Sequence, residues 1–535
     1  MLSFVADNCK LLSDINIQTN CNNIKQCAII SIFRLKLMNV IKKQAFLGTI
    51  FSYGGVLVGF VTQFFLIGNY LEPAQNGLLA VLLSYMYVLV QLSSLGFNAA
   101  GSRFFPHFRD AKNGHRGYLF LGLSVGIVGF IVTTIGILLL KNIIISNEEN
   151  STLFADNFNF LLPLTFATLL FNLLDNYAKN LYDTVTGTFL SQFLQRLLQL
   201  LAVLFIVFGL LDFQQFMYLW VFSVSFYVVP MLWKATKLEG FSLKPNFSVM
   251  TPTFSKEFSF YSFLTILTGF SSMVILYIDK IMLAGITTFA ETGIYNTAAF
   301  FGSVMGMSLL AVNKAAQPLI ADSFAENDLE NITTIYRKSC TTSLIVGCWI
   351  FLGIYLNIDN LFLFLKPEYA AGKTVVIIIC LGKLFDLATG LNGTILTLSK
   401  YYIYDTYIMV GLIVITVSLN YFLIPIYGMN GAAIALAFAT VYFNLARYLV
   451  VLFKLRMQPF TFDLARIIFI SIVIGLIIRL LPSINGNKLM TTIDMGYRSV
   501  ALTVLFGSVI YWSNISPELN GAMRNMWLKI RKIFW

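Results

Sequence analysis

Residues Glu72–Ala80 read EPAQNGLLA, and far downstream Thr288–Asn296 read TFAETGIYN. Each stretch closes one long apolar run and opens the next, and superposing the two brings Gly77 onto Gly293. Working outward, the same shift carries the apolar runs 46–68, 77–96, 117–140, 158–175, 190–211 and 215–233 almost onto runs at 257–283, 292–313, 340–358, 374–398, 405–426 and 431–453. A final pair, 467–481 and 498–515, has no counterpart. Each run approaches the length needed to cross roughly 30 Å of hydrocarbon. The spacing therefore predicts an all-α integral membrane protein of about 14 transmembrane helices. Sequence identity between the halves is slight, so what repeats is hydropathy and turn position. Six crossings is an even number, which gives both halves the same orientation. A parallel repeat of this kind is a transporter architecture with its site between the lobes near the midplane. The alternative is chance spacing of apolar runs.

Composition agrees. Of 535 residues, 58% are hydrophobic and only 11% charged, and the mean hydropathy is +0.78. A soluble domain could not cover that much apolar surface with its polar residues. In lipid, backbone groups must be satisfied within the segment, so the runs are expected to be helices. The net charge of +11 is spread in short clusters rather than gathered on one face or tail, which speaks against a nucleic-acid binder. With a cytoplasmic N-terminus, only Lys141, Lys366, Lys373 and Lys488 fall in outer loops. That asymmetry predicts both termini on the cytoplasmic side. The six cysteines form no CxxC pair, and His107 and His115 are the only histidines, so no metal site is expected.

The predicted organisation is an N-lobe at 38–245, a C-lobe at 246–458, and two further spans with a basic cytoplasmic tail at 459–535. Residues 1–37 fit neither lobe. They are expected to be disordered or wrongly assigned, with translation starting at Met38; an amphipathic surface segment is the other reading.

Catalytic motifs are absent: no P-loop pattern, no HExxH and no GxSxG occurs. Ionisable residues inside spans are costly unless paired or facing water, so those present are the site residues to weigh. Lys383 and Asp386 are three apart, and Asp175 and Lys179 four apart. Either pair neutralises itself on one helix face or contacts substrate. Lys314, Arg196 and Arg447 either snorkel to headgroups or line a cavity. Asp279 and Lys280 are adjacent and point about 100° apart on a helix. They cannot share a face, and each requires its own partner or water. Gln63, Gln91 and Asn98 suit a hydrated groove meeting sugar hydroxyls, or serve as glue between helices.

The segment YIDKIMLAGITTFAETGIYNTAAFFGSVM (Tyr277–Met305) resembles the polysaccharide-flippase branch of the multidrug/oligosaccharidyl-lipid/polysaccharide (MOP) exporter superfamily. The likeness lies in Asp279, Lys280 and the Glu-x-Gly-x-Tyr of Glu291, Gly293 and Tyr295. Asn69–Pro106 and Leu419–Tyr442 agree with it, and the resemblance covers roughly residues 38–460. It implies two six-helix lobes in a V that rock between inward- and outward-facing states in a bacterial inner membrane. The implied substrate is an undecaprenyl-pyrophosphate-linked oligosaccharide for O-antigen or exopolysaccharide assembly. Cavity cations would then counter the pyrophosphate. No cofactor is implied beyond coupling to an H+ or Na+ gradient or to the membrane potential. Implied partners are membrane lipids, a polysaccharide polymerase and its chain-length machinery. The first span departs from two relatives. It has neither the carboxylate expected of a cation-coupled drug exporter, a role left in this half to Asp175, nor the arginines expected of a lipid II flippase. Those functions rank second and third. A membrane-embedded polymerase or acyltransferase, which would show a long outer loop and no half-chain repeat, is the remaining class.

Overall fold

The computed structural model describes residues 44, 47–144, 151–484 and 487–534. The N-terminal extension expected at 1–37, with Cys9, Cys21 and Cys27, lies outside the described residues. Among the described residues all regular structure is helical. The first six long helices are α1 (Leu47–Tyr70), α2 (Pro73–Phe108), α3 (Ala111–Asn142), α4 (Thr152–Asn180), α5 (Val185–Val207) and α6 (Phe213–Thr236). They are followed by α7 (Pro252–Ile286), α8 (Phe289–Ala325), α9 (Leu329–Leu356), the bent pair α10 (Pro367–Thr389) and α11 (Asn392–Leu398), α12 (Ile403–Tyr427) and α13 (Met429–Leu455). The chain closes with α14 (Phe462–Arg479), α15 (Lys488–Ser513) and α16 (Pro517–Phe534).

Twelve of these are long and apolar enough to cross a membrane, and the bent pair makes a thirteenth. The remaining one of the fourteen predicted spans is α14, whose 18 residues include Asp463, Arg466 and Arg479. Three expected spans are longer than their apolar cores. Helix α2 runs 36 residues, continuing through a left-handed turn at Leu95 and Gly96. Helices α7 and α8, at 35 and 37 residues, measure about 53 and 56 Å at 1.5 Å per residue. Both exceed the hydrocarbon core and project on the side of the lysine- and arginine-rich loops, called the basic side below.

The repeat seen in sequence is also present in the capping chemistry. Glu72 caps α2 and closes a capping box with Gln75, whose side chain accepts the Glu72 N–H at 3.0 Å. Its repeat partner Thr288 caps α8, accepting the Glu291 N–H at 3.2 Å. Each cap thus satisfies part of its helix's orphan donors in the first turn.

Apolar side chains face outward as well as inward. On α3, Ile127, Val128, Ile131, Val132, Ile135 and Leu138 are exposed, and Leu139 reaches 77%. Such a surface needs lipid around it. Inside, one apolar cluster joins α2, α3, α4 and α6 and reaches Phe258, Ala284 and Phe289. A second gathers Leu283, Tyr295, Phe301, Ile379 and Ile424 with Phe64 of α1. A third fastens α14 and α15 to α9 through Leu344, Cys348, Ile467, Ile474, Leu502 and Phe506. The bend of 49° between α10 and α11 falls at Gly390, where φ is +56°, a conformation glycine takes without steric penalty.

Candidate functional site

The two halves of the chain meet where the repeat matches itself. Helices α2 and α8 cross at Gly77 and Gly293. A Cβ added to Gly77 would lie 1.8 Å from the Phe289 carbonyl oxygen, and one on Gly293 would lie 1.9 Å from the Pro73 carbonyl oxygen. Pro73 and Phe289 are themselves counterparts under the repeat, so the contact is reciprocal. Only residues without a side chain let two backbones approach this closely in lipid. Beside the crossing, the Lys366 N–H donates to the Gly68 carbonyl at 3.1 Å. Together these contacts close the gap between α1, α2, α8 and α10 on the side away from the basic loops.

Behind this seal lies a cavity of about 630 Å³ walled by α1, α2, α4, α5, α6, α7 and α8. Its lining runs from Ile67 and Asn76 at the sealed end to Lys179 and Ser191 toward the basic side. Helix α5 contributes Gln192, Gln195, Arg196 and Gln199, spaced i, i+3, i+4 and i+7 and therefore on one face. The guanidinium of Arg196 lies against Gly59, where an added Cβ would be 2.2 Å from Nη1. Across the cavity α7 presents Lys280. Among the described residues neither Arg196 nor Lys280 has a carboxylate within ion-pair distance. Tyr87 of α2 and Tyr277 of α7 also line the wall, their rings stacked at 4.9 Å and 13°.

The residues expected at the site divide as follows. Lys280 lines the cavity, whereas its neighbour Asp279 turns into the protein and is buried. There Asp279 accepts the Tyr295 hydroxyl at 2.5 Å and the Lys280 backbone N–H at 2.8 Å. Asp175 and Lys179 both line the cavity and pair with each other at 2.5 Å. Gln63 lines it and donates to Asn76 Oδ1 at 2.9 Å. Gln91 does not line it; its amide packs against Gly269 of α7. Asn98 accepts from Asn176 Nδ2 through its backbone carbonyl at 2.5 Å.

The remaining expected residues sit in the second half, away from this cavity. Lys383 and Asp386 pair within α10 at 3.1 Å, and Asp386 also accepts from Asn444 at 2.9 Å. Arg447 is held by Asp405 through two hydrogen bonds of 2.6 and 3.1 Å rather than snorkelling to headgroups. Asp386 and Arg447 border a smaller cavity of about 310 Å³. Lys314 is exposed. On α8 it stands about five helical turns beyond Asn296, on the same face as that cavity-lining residue and toward the basic side.

Several cavity residues were not anticipated: Asn76, Asn172, Gln192, Gln195, Gln199 and Asn296. The glutamines were legible as a polar stripe on an otherwise apolar span. The Glu-x-Gly-x-Tyr motif also gains a physical account. Tyr295 satisfies buried Asp279, Gly293 makes the crossing, and the Glu291 carboxylate accepts the Met429 N–H at 2.9 Å. A carboxylate there complements the N-terminal dipole of α13.

Outside the spans, Asp183 ties two helix ends on the basic side. Burial opposes its charge, but hydrogen bonds from the Thr186 backbone and hydroxyl and from Lys234, with the Lys234 charge, hold its carboxyl below the usual carboxylate range. The Lys234 ammonium is 3.1 Å away. Among the described residues no three His, Cys, Asp or Glu side chains are grouped to hold a metal ion.

No curated protein matches the chain. Among solved structures it is similar to the lipid II flippase MurJ in an inward closed conformation, with a TM-score of 0.71 and 12% identity over 88% of this chain and 100% of that one. It is also similar to an inward-facing multidrug resistance MATE family transporter of the MOP superfamily, with a TM-score of 0.60 and 12% identity over 78% of this chain and 96% of that one. At such identity the likeness is one of fold. Residues 41–324, which hold the crossing and the whole cavity wall, match the family described as polysaccharide biosynthesis protein. The chain belongs to the polysaccharide biosynthesis protein family and has the fold of the MOP-superfamily transporters.

Proposed function

We propose that the protein is a flippase carrying a polyprenyl-pyrophosphate-linked oligosaccharide from the inner to the outer leaflet of a bacterial inner membrane, for surface polysaccharide or lipopolysaccharide assembly. The observation that carries this reading is the pair of cavity cations, Arg196 and Lys280, without carboxylate partners among the described residues and set in a wall otherwise rich in amides. An ammonium and a guanidinium with no carboxylate in ion-pair contact are costly at membrane depth, and an anionic pyrophosphate offsets that cost while being neutralised itself. The amides of Gln192, Gln195, Gln199, Asn172 and Asn296 offer donors and acceptors to sugar hydroxyls. Lys314 stands on the approach to the cavity and adds a third positive charge to the path.

In this reading the lobes at 38–245 and 246–458 move as bodies, and the α2–α8 crossing opens as the basic side closes. With the basic loops cytoplasmic, an inside-negative potential drives the anion outward. It supplies about 2.3 kcal/mol per charge per 100 mV, so no bound cofactor is required. Drug export is the second reading, favoured by the cavity carboxylate Asp175. Lys179 at 2.5 Å already neutralises that carboxylate, which argues against an organic cation as cargo.

Reconstituted vesicles loaded with fluorescent lipid-linked oligosaccharide test the proposal. Wild-type protein should move the lipid between leaflets without altering it chemically. Lys280→Ala and Arg196→Ala should each slow the movement at least tenfold at unchanged protein level. A new covalent product, or full rates in both variants, would overturn it.

A further inference from the structure

We infer that Asn76 is the positioning residue that holds the α2–α8 seal shut and makes it responsive to what occupies the cavity. This side chain is 1% exposed and stands next to Gly77 in the chain. Its Nδ2 faces three acceptors in the second half of the chain: the Gly293 carbonyl at 2.9 Å, Thr297 Oγ1 at 2.9 Å and the Tyr369 hydroxyl at 3.3 Å. Its Oδ1 accepts from Gln63 Nε2 of α1 at 2.9 Å and from Asn296 Nδ2 of α8 at 3.4 Å. One amide thus links α1, α2, α8 and the start of α10, the elements that meet at the seal.

Two features separate it from ordinary helix glue. An amide nitrogen has two hydrogens, so three acceptors compete for them and at least one is always left over. Asn76 and its neighbours Gln63 and Asn296 also line the closed end of the cavity, where the hydroxyls of a cargo would compete for the same donors and acceptors. A bond between halves that weakens on loading gives the cargo different free energy in the sealed and unsealed states, which is the requirement for a ligand to shift the equilibrium. The seal itself rests on structure alone; the response to loading rests on the proposed carriage of a lipid-linked saccharide.

The test uses the full chain with all six cysteines replaced by serine and a reporter at Ala80→Cys. Ala80 is buried and lines the cavity. A membrane-impermeant maleimide applied from the side opposite the basic loops reads the seal. Asn76→Ala should label at least ten times faster than its parent. The combination Thr297→Val with Tyr369→Phe, which removes two acceptors and leaves Asn76 in place, should label faster too and guards against misfolding of the first variant. Equal labelling in both variants and the parent would overturn the inference. Lipid-linked oligosaccharide extracted from the source membranes should accelerate labelling of the parent and not of Asn76→Ala; acceleration in both would overturn the coupling. Failure to accelerate the parent, with Asn76→Ala still fast, would leave the latch standing and count against the proposed cargo.

Discussion

Replacing Gly77 with alanine puts a methyl group into backbone that cannot rotate aside. The new carbon would begin 1.8 Å from the Phe289 carbonyl oxygen, 2.7 Å from its carbon and 3.0 Å from the Gly293 nitrogen. A real Cβ essentially never comes closer than 3.0 Å to such an atom, so α2 and α8 must part at their crossing until the carbonyl oxygen is cleared. Overpacking of this kind costs about 1–3 kcal/mol. The cost falls only on the sealed state, because helices that have separated no longer feel the methyl group. The sealed population should therefore drop by roughly 5- to 150-fold relative to the unsealed one. Gly293→Ala should act alike, since its methyl would meet the Pro73 carbonyl oxygen at 1.9 Å. The two together should fall well short of additive, because one separation relieves both clashes. Spin labels on the ends of α2 and α8 away from the basic loops report the separation by pulsed dipolar distance measurement. Distance distributions unchanged in both variants would refute the reasoning, as would full additivity in the double variant.

Two other expectations follow from groups away from the cavity. Within α15, Asp494 accepts from Arg498 at 2.8 Å, Asn360 at 2.6 Å and the Ile484 N–H at 2.9 Å. Arg498→Ala should destabilise the packing of α15 by about 1–3 kcal/mol, because Asp494 keeps the Asn360 and Ile484 hydrogen bonds; a lower melting temperature is expected, and an unchanged melt would count against it. Asp183, whose carboxyl is held below its usual range, stabilises the folded protein at pH values above the unfolded value of about 3.9. That contribution fades as pH falls through the lower folded value. Asp183→Asn should therefore melt below wild type at pH 7, with the gap closing under acid; a gap that widens toward low pH would contradict the ion pair with Lys234.

The helical architecture was readable because lipid leaves few alternatives: a long apolar run must satisfy its own backbone, and the spacing of runs carries the repeat. The coincidence of Gly77 with Gly293 was visible as an offset in turn position, and its meaning became visible only when the helices were placed against each other. Charged residues were harder. Sequence spacing allowed Lys383–Asp386 and Asp175–Lys179 to pair, and both do, but spacing could not say that only the second pair borders the large cavity. Arg447 resisted placement because its partner Asp405 lies on another helix, α12, and no short spacing connects them. The adjacency of Asp279 and Lys280 was informative, since two neighbours on a helix must part company. The amides were overlooked because a neutral polar residue in a span has several common uses, and only the i, i+3, i+4, i+7 stripe on α5 separates a wall from scattered glue.

Among the described residues, α14 and α15 are fastened chiefly to α9, in a cluster that includes no residue of the first half. Any swing of the second half must carry them along as an outrigger. The molecule's footprint in the bilayer is therefore lopsided, and in the proposed rocking cycle the lipids beside that flank would have more moving surface to repack around than those beside the first half. Viscosity of the surrounding membrane would then brake the second half more than the first.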